Sequence, residues 1–247
     1  MAGHSKWKNI RIRKGKQDAI RGKLFTKLSR EIMVAAKGGA DPDTNLRLRL
    51  AIDKAKESSV PKENIERAIA KGSGQVDGEN YEEITYEGVG PGGVAFMVDV
   101  YSENRNRTVG ELRHAFSKAG GNLTENGSVA WQFKMLGQII VKKDGVDEDE
   151  LTMAAIEGGA DDVLTDDEEV FVIYTAVESL HACNEALTKA GFRTDDVQLT
   201  RLATNKANPN QEELIKTVKL MDVLDELDDV KDTYVNVDIP DEIYDLV

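Results

Sequence analysis

The sequence predicts an α+β multidomain protein: an N-terminal three-helix domain plus two α/β, ferredoxin-like domains, the third inserted in the second. Two observations point there. Apolar residues recur with a helical period as far as Gly72, then with the two-residue period of strands from Tyr81 onward. Residues 137–203 form a complete βαββαβ series, which interrupts a ββαβ segment whose missing helix and strand arrive only after residue 205. A chain of 247 residues, at about 150 per domain, has room for more than one core. The expected domains are 1–78, 79–134 joined with 205–247, and 135–204.

The elements follow in order. KQDAIRGKLFTKLSREIMVAAKGG sets Leu24, Leu28, Ile32 and Ala35, with Phe25, on one side of a helix, and Gly38 and Gly39 stop it. DPDTNLRLRLAIDKAKESS opens on Asp and Pro signals and spaces Leu48, Ala51, Ile52 and Ala55 at i, i+3, i+4, i+7. PKENIERAIAKG has Pro61 near its first turn, one apolar face from Ile65, Ala68 and Ile69, and a stop at Gly72. After the linker GSGQVDGEN come two strands, EEITYEGV and GGVAFMVDVYS, then the helix RTVGELRHAFSKAGG and a strand over GSVAWQF. The inserted series reads GQIIVKK, DEDELTMAAIEGGA, DVLTDD, EVFVIYTAV, SLHACNEALTKAGF and DDVQLTRLA, and NQEELIKTVKLMDVLDELDDVKDTYVNVDI supplies the last helix and strand.

Composition narrows the function classes. With 40% apolar and 31% charged residues, the chain is that of a globular protein. No run of about 18 apolar residues is present to span a bilayer, and the basic N-terminus lacks the apolar stretch of a secretory signal. A single cysteine, Cys183, forms no internal disulfide, so a cytoplasmic location is expected. The net charge of −13 conceals a division: residues 1–75 hold 18 Lys and Arg against 8 Asp and Glu, whereas the remainder holds 14 against 37.

Most local motifs have plain readings. Gly88, Gly90 and Gly93 of GVGPGG match G-x-G-x-x-G, but that fingerprint needs a helix after it to hold pyrophosphate, and a β-rich run follows; a strand connection is expected. The acidic clusters DGVDEDE and DDVLTDDEE lack calcium-loop spacing. His4, His114 and His181 are not paired at ligand spacing, and Cys183, two residues from His181, points to another helix face as a small core residue. No metal, cofactor, small-molecule substrate or catalytic residue is expected.

Two segments carry more. In SENRNRTVGELRH, Thr108 with Glu111 reads as a capping box that starts a helix near Val109, leaving Arg105 and Arg107 beside its positive end. There they either receive a phosphate or pair with a carboxylate such as Glu103. The arm HSKWKNIRIRKGK holds His4, Lys6, Trp7, Lys8, Arg11, Arg13, Lys14 and Lys16 with no acid before Asp18. Lys16, Lys23, Lys27 and Arg30, at i, i+7, i+11 and i+14, continue the charge along one helical stripe. Phosphate neutralisation is the main sequence-independent source of nucleic-acid affinity. Trp7 either stacks on an unpaired base or anchors the arm to the helices. The acidic remainder would repel nucleic acid from other faces. No recognition helix is evident, so weak sequence preference is expected.

MAGHSKW, RGKLFTKLSREI, YEGVGPGG, ENRNRT, RHAFSKAGGNL and GSVAWQF closely resemble the YebC/PmpR family of bacterial regulators, which includes the mitochondrial translational activator of cytochrome c oxidase. The resemblance runs the full length. It implies the same three-domain arrangement and a non-enzymatic, DNA-binding transcriptional regulator. It also implies an alternative, a ribosome-associated translation factor that binds RNA and relieves stalling. The partners so implied are DNA or RNA, with the ribosome as one form of the latter; no membrane is involved and a monomer is expected. By position, His4 to Lys16 and NRNRT match family motifs. Where many members carry His and Ala, this chain has Ile12 and Gly15.

Overall fold

The computed structural model describes residues 21–78 and 80–247. Its elements are α1 (Arg21–Ala36), α2 (Leu46–Glu57), α3 (Lys62–Gly72), β1 (Glu82–Val89), β2 (Ala95–Ser102), α4 (Arg105–Lys118), β3 (Asn122–Thr124), β4 (Phe133–Lys142), α5 (Glu148–Glu157), β5 (Ala160–Leu164), β6 (Val170–Thr175), α6 (Leu180–Lys189), β7 (Asp196–Ala203), α7 (Gln211–Glu226), β8 (Val230–Val235) and the short α8 (Asp241–Tyr244). The architecture is α+β with two four-stranded antiparallel sheets. Of the described residues, one compact unit comprises Phe133–Thr204, and the other comprises those up to Gln132 together with Asn205–Val247.

In the larger unit α1, α2 and α3 close around Leu28, Ile32, Leu48, Ala51, Ala55, Ile65 and Ala68, and Tyr81 and Tyr101 belong to the same core. Asn45, not the Asp and Pro before it, starts α2. Its side-chain oxygen accepts from Leu48 N–H at 3.1 Å, and its amide donates to the Ala35 and Gly39 carbonyls at 2.8 Å each, tying the end of α1 to the start of α2. The sheet of this unit runs β3-β1-β2-β8, so the strand that completes it follows residues 133–204 in sequence. Phe96, Val98 and Val100 alternate along β2 towards Leu112 and Phe116 of α4 and Leu220 and Leu224 of α7. Phe96 and Phe116 meet edge to face, ring centroids 5.3 Å apart.

GVGPGG joins β1 to β2 through a tight turn over Pro91–Gly93 with a strand on each side, so no helix follows it in the chain as the fingerprint requires; the turn packs on the start of α7, where the Glu213 side chain, already used in that helix's capping box, fills the space beside Gly92. Its glycines serve packing: a Cβ on Gly88 would come within 2.6 Å of the Phe116 ring, and one on Gly90 within 2.4 Å of Phe96. GSVAWQF departs from expectation. The third strand is Asn122–Thr124, and Ala130–Gln132 is a single 3₁₀ turn. The reason is a buried carboxylate. Glu87 of β1 accepts from the backbone N–H of Gly127 (2.6 Å), Val129 (2.7 Å) and Ala130 (2.9 Å), which takes those donors from any ladder. Trp131 is left 66% exposed, its indole N–H donating to Ser128 O at 3.0 Å.

Tyr101 gives this core a titration signature. Burial pushes its phenol up to about 12, aided by Glu31 and Glu83 and opposed by Lys231 and Arg47. A folded-state value above the unfolded one means that stability is fully present below pH ~10 and lost as pH rises towards ~12, on the order of 2–3 kcal/mol across the window. Urea midpoints between pH 9 and 12 are expected to fall more steeply in the wild type than in Tyr101→Phe; parallel curves would contradict this.

The smaller unit orders its strands β5-β6-β4-β7, the split βαβ arrangement of the ferredoxin-like pattern. Ile139, Val141, Phe171 and Ile173 pack against Leu151, Leu180, Cys183 and Leu187. Cys183 is wholly buried and burial pushes its thiol up, as for a small core residue. Asp147 caps α5, accepting from Glu150 N–H at 3.0 Å, so the acids of DGVDEDE sit where the helix dipole favours them.

Candidate nucleic-acid interface

His4, Lys6, Trp7, Lys8, Arg11, Arg13, Lys14 and Lys16 lie outside the described residues. The stripe they lead into lies within the larger unit. Lys23, Lys27 and Arg30 fall at i, i+4 and i+7 on α1 and close on the C-terminal end of α7. Lys23 Nζ donates to Glu226 O (3.2 Å), Lys27 Nζ to Asp225 O (2.7 Å), and an Arg30 terminal nitrogen to Asp228 O. A helix leaves its last carbonyls unpaired and carries a partial negative charge there, so three cations on one face answer both needs. The acids Asp225, Glu226, Asp228 and Asp229 add to that negative end.

Asp229 is the centre of the arrangement, 2% exposed. Its Oδ1 accepts from Arg30 and Arg107 at 3.1 Å each, and its Oδ2 from Arg107 at 3.1 Å and from the Thr108 hydroxyl at 2.6 Å. A carboxylate only accepts, so Thr108 donates to it, and Ser102, 2.6 Å from Thr108 Oγ1, donates to Thr108 in turn. Arg30 is itself 8% exposed and lies 4.9 Å from the centroid of the Tyr81 ring. Hydrogen bonding to Asp229 raises the Arg107 pKa.

The capping box expected at Thr108 and Glu111 is displaced. Asn104 caps α4, its side chain accepting from Arg107 N–H at 3.2 Å, and the helix begins at Arg105. Thr108 therefore falls inside the first turn, where its hydroxyl donates to Asp229. Arg105 and Arg107 therefore stand in that first turn, and each faces carboxylates. Arg105 meets Glu82 at 2.5 Å, and Arg107 meets Glu103 at 3.5 Å as well as Asp229. Their side chains keep 67% and 42% of their surface open. Between α1, α4 and the end of α7 lies a cleft of about 390 Å³ lined by Lys23, Arg30, Arg107, Glu111, Glu226 and Asp228. Its charges are of both signs. Asp229 was not among the expected site residues. The signal for it was the run of acids at the C-terminal end of a helix, unfavourable unless cations arrive from elsewhere. Among the described residues no His, Cys, Asp or Glu cluster is arranged to hold a metal, and no helix is long and apolar enough to cross a membrane.

A helical segment leading into an antiparallel α/β unit, itself interrupted by a ferredoxin-like unit, places the protein in a defined class of α+β proteins. The chain belongs to the TACO1/YebC family. The family's N-terminal domain matches residues 5–75, and its second and third domains match residues 81–237. "Probable transcriptional regulatory proteins" of Sulfurihydrogenibium sp. and Pseudomonas fluorescens are each 50% identical to it over 98% of both chains. One from Persephonella marina is 49% identical over the whole of both. The crystal structure of a conserved hypothetical protein from Aquifex aeolicus superposes with a TM-score of 0.85 at 48% identity, covering 92% of this chain and 93% of the other.

Proposed function

We propose that this protein is a regulator of gene expression that binds duplex DNA through its phosphate backbone and acts by binding, without catalysis. The carrying observation is the charge division: 18 Lys and Arg against 8 acids in residues 1–75, and 14 against 37 beyond. That polarity presents one part of the chain to a polyanion and turns the rest from it. The relatives' shared name, transcriptional regulatory protein, supports the same reading. In it, domain 1–78 makes the principal contacts through Lys6, Lys8, Arg11, Arg13, Lys14 and Lys16, with Trp7 beside them, while domains 79–134 with 205–247 and 135–204 orient the complex.

The test is a salt titration. Replacing Arg11, Arg13 and Lys14 together by Ala is expected to weaken binding to a duplex DNA probe. It should also reduce the slope of log affinity against log salt by about 2–3, close to one for each phosphate no longer neutralised. Unchanged affinity at low salt rejects the arm as the site. Failure of the wild type to bind duplex DNA at low salt rejects the reading itself.

A further inference from the structure

Glu87 holds a turn whose own sequence is chemically unstable. Asn126 and Gly127 are the chain's one Asn-Gly pair, and both are exposed. Ser128 N–H donates to Glu125 O at 3.2 Å and closes a turn with that pair at its centre, where Gly127 takes a φ of 88°. In any Asn-Gly sequence the glycine nitrogen can attack the asparagine side-chain carbonyl, because the ring that forms is unstrained and glycine has no side chain to obstruct it. Two events must come before the attack. The glycine N–H gives up its proton, and the peptide unit turns until its nitrogen faces the side-chain carbon. Here one residue opposes both. Gly127 N–H donates to Glu87 Oε1 at 2.6 Å, and a negative charge against that nitrogen disfavours a second one on it. Glu87 Oε2 accepts from Val129 and Ala130 at 2.7 and 2.9 Å, so the Gly127 peptide unit cannot turn without pulling its neighbours off a carboxylate that is 5% exposed.

We propose that Asn126 is a site of spontaneous covalent modification, the loss of its side-chain amide, and that Glu87 keeps it unreacted while the loop is closed. When the loop opens, the Gly127 nitrogen bonds to the Asn126 side-chain carbonyl carbon. Its proton passes through water to the side-chain amide nitrogen, which leaves as ammonia. Water then adds across one or the other carbonyl of the resulting succinimide and opens the ring, giving aspartate or isoaspartate at position 126. Water is the only co-reactant, and nothing is oxidised or reduced. Either product carries a carboxylate where a neutral amide stood. In the isoaspartyl form the main chain is also longer by a methylene, so the turn no longer brings Gly127, Val129 and Ala130 to Glu87 together. Trp131, whose indole N–H reaches Ser128 O, loses its seat with the turn. The change runs one way: an opening of the loop, once recorded at Asn126, keeps the loop open. This holds whether or not the protein binds nucleic acid.

The experiment incubates the full chain at mildly alkaline pH, well below its melting temperature, and follows tryptic peptides by mass. The readout is a gain of about one dalton, assigned to Asn126 by fragmentation. Glu87→Gln, which releases the Gly127 N–H and removes the charge beside it, is expected to react about tenfold faster than wild type, and Glu87→Ala faster still. Ile32→Val thins a core position of the same unit that is wholly buried, and it is expected to keep the wild-type rate. The chain unfolded in guanidinium sets the upper limit of the rate. Wild-type rates in both Glu87 variants would overturn the role of Glu87. A rate raised as much by Ile32→Val as by Glu87→Gln would also overturn it, since general loosening would then suffice. No gain at Asn126 even in the unfolded chain would overturn the site itself.

Discussion

Asp229→Ala is expected to lower the stability of the chain by about 3–5 kcal/mol, the cost of removing one partner from a buried ion pair. Arg30 would keep its charge in a site where its side chain is 10% exposed, and the Thr108 hydroxyl would lose the acceptor that it reaches at 2.6 Å. Arg107 contributes less of the effect, because a guanidinium 42% exposed can be solvated once its partner is gone. Urea denaturation followed by circular dichroism measures the loss. Removing both charges, as in Arg30→Met with Asp229→Ala, is expected to cost less than the sum of the single changes, since neither leaves the other stranded. A single Asp229→Ala chain within about 1 kcal/mol of wild type would show that the carboxylate does not organise the clamp.

Glu87→Ala is expected to cost about 2–4 kcal/mol, because three backbone N–H groups lose their acceptor at once and at least that of Val129 is buried. Glu87→Gln should fall between the two. Its carbonyl oxygen can still serve Val129 and Ala130, but its amide then confronts the Gly127 N–H, donor against donor. Hydrogen exchange at residues 127–130 gives the local readout, and protection there should fall in Glu87→Ala before the global transition is affected. Unaltered protection would mean that the loop is held by something other than Glu87.

The order of helices and strands was legible because each depends on a local period, and the ferredoxin-like series could be read whole because its pattern is complete within residues 133–204. What was not legible depends on partners far away in sequence. GSVAWQF has the composition of a strand, but its N–H groups are captured by a carboxylate about 40 residues earlier. Thr108 and Glu111 have capping-box spacing, yet the hydroxyl is taken by Asp229, 121 residues on, and Asn104 caps instead. The stripe Lys23, Lys27, Arg30 was evident as a stripe. Its immediate partners, the carbonyls ending α7, were not, since a backbone acceptor leaves no mark on a side-chain pattern.

The clamp between α1 and the end of α7 also sets a schedule. Its partners are 198 to 203 residues apart. At about 5–20 residues per second of synthesis, α1 emerges some 10–40 s before the carbonyls it will cap exist. Residues 133–204 pair their strands only with one another, so they can finish folding while the earlier part of the chain still waits. The last segment made is thus the one that completes the first. A nascent or truncated chain ending before Gln211 would carry its cationic face unneutralised, open to any polyanion nearby.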